Sequence, residues 1–109
     1  MPIFITQGRF THDAIKGMMA KPEDREPALR QLAEKSGGKL LAYYMTFGEY
    51  DFLVISEGPL EDAATPLIVA AAGGGVTDLK TTLAMTTAEM KSAFTKAGAV
   101  AASFKSAGK

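Results

Sequence analysis

The chain has 109 residues, enough for one domain and too few for two. Apolar residues make up 47%, which suits a packed core and excludes a disordered chain. Twelve basic residues balance twelve acidic ones, so no net field recommends nucleic acid or an anionic membrane as a partner, and the absence of cysteine excludes disulfides, thiol nucleophiles and thiolate metal sites.

Residues 2–10, PIFITQGRF, read as a strand rich in β-branched and aromatic side chains. Thr11 is placed to cap a short helical turn over His12 to Met19. After the polar, proline-bearing KPEDREP a helix runs to about Ser36. Asp24 is its expected N-cap and Pro27 its third residue, where a missing N–H costs nothing. Gly37-Gly38 ends it. Residues 39–47, KLLAYYMTF, and 50–57, YDFLVISE, are strands separated only by Gly48-Glu49, the pattern of a tight two-residue type II′ turn. A second helix is expected from Leu60 to about Ala72, with a kink or a late start at Pro66. A fourth strand covers about Val76 to Met85. Thr86-Thr87-Ala88-Glu89 then matches a capping box ahead of a short helix, and the weakly patterned GAVAASFKSAGK is expected to be loose. All twelve acids lie at or before Glu89, whereas Lys91, Lys96, Lys105 and Lys109 follow it. That basic tail reads chiefly as a solubility feature.

The order β-α-β-β-α-β is the ferredoxin-like arrangement, an α+β fold with a four-stranded antiparallel sheet and two helices on one face. The tight turn fixes the register of the central hairpin. It opposes Phe47 to Tyr50, Met45 to Phe52 and Tyr43 to Val54 on the face beneath the helices. Thr46–Asp51, Tyr44–Leu53 and Ala42–Ile55, with Leu40 beyond, then fall on the open face. That open face is too apolar for water, so it is expected to pack on a second copy of the chain, most simply through a two-fold axis. If the first strand alternates in the matching sense, Ile3, Ile5, Gln7 and Arg9 share this face. Gln7, Arg9, Tyr44, Thr46 and Asp51 would then line a small cavity between sheets.

Gly48-Glu49-Tyr50-Asp51 resembles the G-x-Y-D signature of GYD-domain proteins, small and largely uncharacterised bacterial proteins of the dimeric α/β-barrel group. IFITQGRFT, GGKL, YYMTFGEYDFLVI and VTDLKTTLAMTTAEM resemble the same family in order and spacing, over roughly residues 2–90. Pro27, Pro66 and the longer C-terminal tail depart from it. The resemblance implies the fold, a domain over residues 1–90 followed by a helical or flexible tail over 91–109, and oligomerisation. It supplies no catalytic residues.

Asp51 stands at the mouth of an apolar strand, where it can serve as a hydrogen-bond acceptor for turn or interface, or as an acid or base if burial raises its pKa. His12, the only histidine, is a capping or surface residue or a proton-transfer group. Its adjacency to Asp13 is no metal site, because neighbours on a helix face different ways. Gly73-Gly74-Gly75 lacks the spacing of a phosphate loop, and the methionines read as core filler. Two functional classes follow. One is a small-molecule-binding or assembly module with its site between sheet faces. The other is a small cofactor-independent enzyme, monooxygenase- or isomerase-like, acting on an apolar or aromatic compound with Asp51 or His12 in proton transfer. No cofactor or metal is expected in either. The partners expected are further copies of the chain and a small apolar ligand, without nucleic acid or membrane. With no secretory signal in MPIFITQGRF and no apolar run of membrane-spanning length, the expected location is the cytoplasm.

Overall fold

A computed structural model describes residues 1–108. In chain order the elements are β1 (Ile3–Phe10), α1 (His12–Ala20), α2 (Glu26–Lys35), β2 (Lys39–Met45), β3 (Phe52–Glu57), α3 (Leu60–Ala72), β4 (Val76–Ala84) and α4 (Thr87–Ala101). The strands form one antiparallel sheet in the order β2-β3-β1-β4. This is the ferredoxin-like topology, with α1 added to the first crossover.

Local chemistry sets the boundaries. The Thr11 hydroxyl accepts the Ala14 N–H at 3.2 Å and opens α1. α2 starts one residue later than the sequence suggests. Arg25 is its N-cap and Pro27 its second residue, while the Asp24 carboxylate still accepts the Glu26 N–H at 3.0 Å. Gly37, at φ 90°, takes the left-handed turn that ends α2. α3 starts at Leu60 and runs through Pro66, so the late start is not seen. The capping box at α4 is complete: Thr86 Oγ1 accepts from Glu89 N, and Glu89 Oε1 accepts from Thr86 N. The helix it opens is fifteen residues long rather than short, and includes GAVA of the segment expected to be loose. Lys109 of the basic tail lies outside the described residues.

The pairing of β2 with β3 keeps Tyr43 opposite Val54, Tyr44 opposite Leu53 and Met45 opposite Phe52. The turn, however, is not a two-residue one. Thr46 N–H donates to Asp51 O at 2.9 Å, and residues 47–50 form the loop. Gly48 has φ 157°, near the extended limit and far from the roughly +60° of a type II′ turn. Phe47 is therefore fully exposed and Met45 is 54% exposed, not buried under the helices. A second correction concerns Leu40. The register slips between Leu40 and Ala42, a bulge at Leu41 that puts Leu40 opposite Ser56. Leu40 thereby joins the helix side and is 2% exposed, whereas the sequence placed it on the open face.

β1 alternates as the open-face arrangement requires. Ile3, Ile5 and Gln7 pair with Glu57, Ile55 and Leu53. Phe4, Thr6 and Gly8 point the other way, and the buried hydrophobic core is small: Phe4, Ala33, Leu40 and Phe52. The Thr6 hydroxyl, also buried, bonds to Thr81 Oγ1 at 3.0 Å. Gly8 lies in a crowded spot: a Cβ there would stand 2.6 Å from the tip of the Phe52 ring and 2.7 Å from a Leu79 methyl, so one or both side chains would have to shift. The radius of gyration is 18.0 Å, against about 13 Å for a compact domain of this length. α4, exposed along its whole length, extends away from the body.

Candidate functional site

The residues singled out from the sequence fall into two groups. Arg9, Thr46 and Asp51 gather at the end of the sheet where β1 meets the β2–β3 loop. The Asp51 N–H donates to the Gly8 carbonyl at 2.8 Å, which extends the β1–β3 ladder by one residue. Asp51 Oδ2 then accepts the Phe10 N–H at 3.0 Å. The Thr46 hydroxyl donates to the Tyr50 carbonyl at 2.7 Å. Arg9 Nε donates to the Glu49 carbonyl at 2.8 Å, and its guanidinium sits 5.4 Å from the centroid of the Tyr50 ring. Tyr50 thus meets Arg9, where the sequence had it facing the helices. Arg9 also reaches Asp78 Oδ2 at 3.4 Å. Asp78 has φ 53°, at the irregularity where β4 shifts register against β1. Every letter of Gly48-Glu49-Tyr50-Asp51 except the glycine is therefore held to the end of β1.

Gln7 and Tyr44 belong to the second group, on the open face. Gln7 pairs with Leu53, and Leu53 with Tyr44, so the three form a row across β1, β3 and β2. The next row is Ile5, Ile55 and Ala42. His12 joins neither group. It is exposed at the first position of α1. Among the described residues no three His, Asp or Glu side chains are grouped to hold a metal ion. No helix among them is long and apolar enough to cross a membrane.

The sequence did not reveal a cavity of about 540 Å³ between α1–α3 and the inner face of the sheet. Thr6, Tyr43 and Val54 line it from the strands, and Leu29, Leu32 and Leu67 from the helices. None of Gln7, Arg9, Tyr44, Thr46 or Asp51 reaches it. The alternation that sets Tyr43 on the helix side was visible in the sequence. The space left between the layers was not, because it depends on where three helices come to rest. Burial pushes the Tyr43 phenol above its ordinary pKa, opposed by Arg25 and reinforced by Asp24.

With this geometry in place, comparison with known proteins adds the following. The chain matches the GYD domain over residues 4–94. It is similar to the glutamine synthetase and cystathionine beta-lyase binding protein of Thermus thermophilus, with 34% identity over 65 residues that cover 60% of this chain. The match spans 66% of that relative's length, just under two thirds. Among solved structures it resembles hypothetical protein PHS023 from Pyrococcus horikoshii, with a TM-score of 0.47, 16% identity, and coverage of 79% of this chain and 92% of that one. It also resembles TTHA0845 from Thermus thermophilus, with a TM-score of 0.43, 18% identity, and coverage of 79% and 95%.

Proposed function

This chain belongs to the GYD domain family, and from that premise we propose that it is a binding and assembly module whose open sheet face packs on a second copy of itself. The observation that carries the reading is the composition of that face. Ile3, Ile5, Leu53, Ile55, Ala42 and Tyr44 form contiguous rows on it. An antiparallel sheet that leaves one face in water commonly makes that face polar; here Ile3, Ile5, Leu53 and Ile55 fill most of the two central strands, and the polar side chains are Gln7, Glu57 and, on the edge strands, Lys39, Lys80 and Thr82. The small core sharpens the point. Four buried hydrophobic side chains are few for a domain of this length, and a second sheet stacked about 10 Å away would bury the rest of the apolar surface the strands present. In such a pair Gln7 and Tyr44 would lie within the layer between sheets, where they could contact a small ligand, with Arg9, Thr46 and Asp51 at its edge.

The name of the Thermus thermophilus relative, a binding protein for two enzymes, supports a role in which the assembled module engages another protein. The catalytic alternative asks more of the residues. Asp51 Oδ2 is engaged by the Phe10 N–H in a backbone-holding role, and His12 stands apart from the Asp51 cluster, so no pair of proton-transfer groups is assembled there. Light scattering on the purified chain tests the assembly: a particle of at least twice the 11.5 kDa chain mass is expected, and a monomer at micromolar concentration contradicts it.

A further inference from the structure

We propose that the cavity between the helices and the inner sheet face is a binding site for a neutral, largely apolar small molecule carrying a hydrogen-bond acceptor. The inference does not rest on assembly, which uses the opposite face of the sheet.

The size of the space is the first argument. Protein interiors pack as densely as organic crystals and leave few voids larger than a water molecule. A cavity of about 540 Å³ departs from that and falls within the range, roughly 300–1,000 Å³, of small-molecule sites. Its walls are the second argument. Leu29, Leu32, Phe52, Val54 and Leu67 would hold water poorly and gain by covering apolar surface.

The polar groups narrow the class. The Thr6 hydroxyl is already committed to Thr81. The Tyr43 hydroxyl has no protein hydrogen-bond partner among the described residues, and Tyr43 also borders a smaller recess of about 170 Å³ beside Met18 and Arg25. A phenol keeps its proton at neutral pH and so presents a donor. The charged residues of the lining cancel: Lys21, Arg25 and Lys39 stand against Glu23, Glu57 and Asp62. Arg25 is moreover paired with Glu23 at 3.1 Å. The lining thus carries no net charge to attract an ion, and the unpartnered donor asks for a carbonyl or hydroxyl oxygen. A bicyclic aryl ketone has the required shape and polarity.

The test is a nuclear magnetic resonance titration of the full chain with 2-acetylnaphthalene, alongside naphthalene-2-carboxylate as its anionic counterpart. We expect saturable amide shifts from the ketone centred on Thr6, Tyr43 and Val54, and binding of the carboxylate at least tenfold weaker. Tyr43→Phe keeps the ring and should weaken the ketone several-fold without changing the particle mass. Failure to saturate, shifts centred on Leu53 and Ile55 of the open face, equal or tighter binding of the carboxylate, or unaltered affinity in Tyr43→Phe would each overturn the proposal. A chain that proves monomeric yet binds the ketone at Tyr43 would refute the assembly reading and leave this one standing.

Discussion

The Asp51 carboxylate accepts the backbone N–H of Phe10 at 3.0 Å, while Asp51's own N–H donates to the Gly8 carbonyl at 2.8 Å. Together the two bonds extend the β1–β3 pairing one residue beyond Phe52, the first residue of β3, and close that end of the ladder. The acid at the mouth of an apolar strand is thus a backbone acceptor at the point where β1 leaves the sheet for α1. Arg9 works on the same junction from the other strand, holding the Glu49 carbonyl and covering the Tyr50 ring.

Removing that acceptor should cost stability. Asp51→Ala leaves a part-buried N–H unpaired and should destabilise the fold by about 1–3 kcal/mol. Asp51→Asn keeps an oxygen in place and should cost less. Urea unfolding followed by circular dichroism compares them, and equal midpoints for wild type and Asp51→Ala would dismiss the role.

The bulge at Leu41 makes neighbouring leucines unequal. Leu40, 2% exposed, should cost about 2–5 kcal/mol as Leu40→Ala. Leu41, 40% exposed, should cost no more than about 0.5 kcal/mol as Leu41→Ala in the isolated chain. The register read from the sequence alone predicts the opposite order, so one pair of denaturation curves decides between the two arrangements.

Gly8 marks where β1 comes so close to the Phe52 and Leu79 side chains that a Cβ would displace them. Gly8→Ala should overpack this spot and cost about 1–3 kcal/mol, with shifted resonances at Phe52 and Leu79. A neutral substitution would mean the two side chains move aside freely.

Two groups give opposite pH signatures. The Glu89 pKa is lowered by its bond from the Thr86 backbone and, secondarily, from the Thr86 side chain. A depressed carboxyl pKa stabilises above the unfolded value of 4.5 and loses that contribution as pH falls through the folded pKa. The first turn of α4 should therefore loosen in acid, visible in the carbon chemical shifts of residues 87–90. Glu89→Gln, still able to reach the cap N–H, should abolish the pH dependence. The raised pKa of Tyr43 runs the other way: its contribution is complete below the unfolded value of 10.0 and is lost as pH rises through the folded pKa. An ultraviolet titration should therefore show Tyr43 ionising above the ordinary phenol value, and Tyr43→Phe should remove that late step.

Much of this architecture was legible from period and punctuation. The alternation in β3, the caps at Thr11 and Thr86 and the glycines after α2 each act within a few residues, so the sequence displays them directly; the sense in which β1 alternates stayed open, because both of its faces carry apolar residues. The errors arose where one residue of slack changes the outcome. The hairpin turn was read as two residues when Thr46 and Asp51 close a longer loop, and a single extra residue at Leu41 carried Leu40 to the opposite face. The candidate site was legible only in part. The hairpin register put Leu53 beside Tyr44, and Gln7 joins them only because β1 takes the one of two open parities that matches; the partner of Asp51 is a backbone N–H, which no residue type announces. The cavity at Tyr43 depends on the spacing of layers, a tertiary quantity with no local signal.

In the proposed assembly the open face of the sheet is the contact between copies of this chain. The most direct measurement is light scattering on Leu53→Lys beside Leu60→Lys, with circular dichroism confirming that both are folded. Leu53 sits in the middle row of the open face, whereas Leu60, 71% exposed at the start of α3, lies on the helix layer. The expected result is that Leu53→Lys falls to the mass of one chain while Leu60→Lys keeps the wild-type mass. A wild-type mass for both, or loss of mass in Leu60→Lys alone, would rule out assembly through the open face.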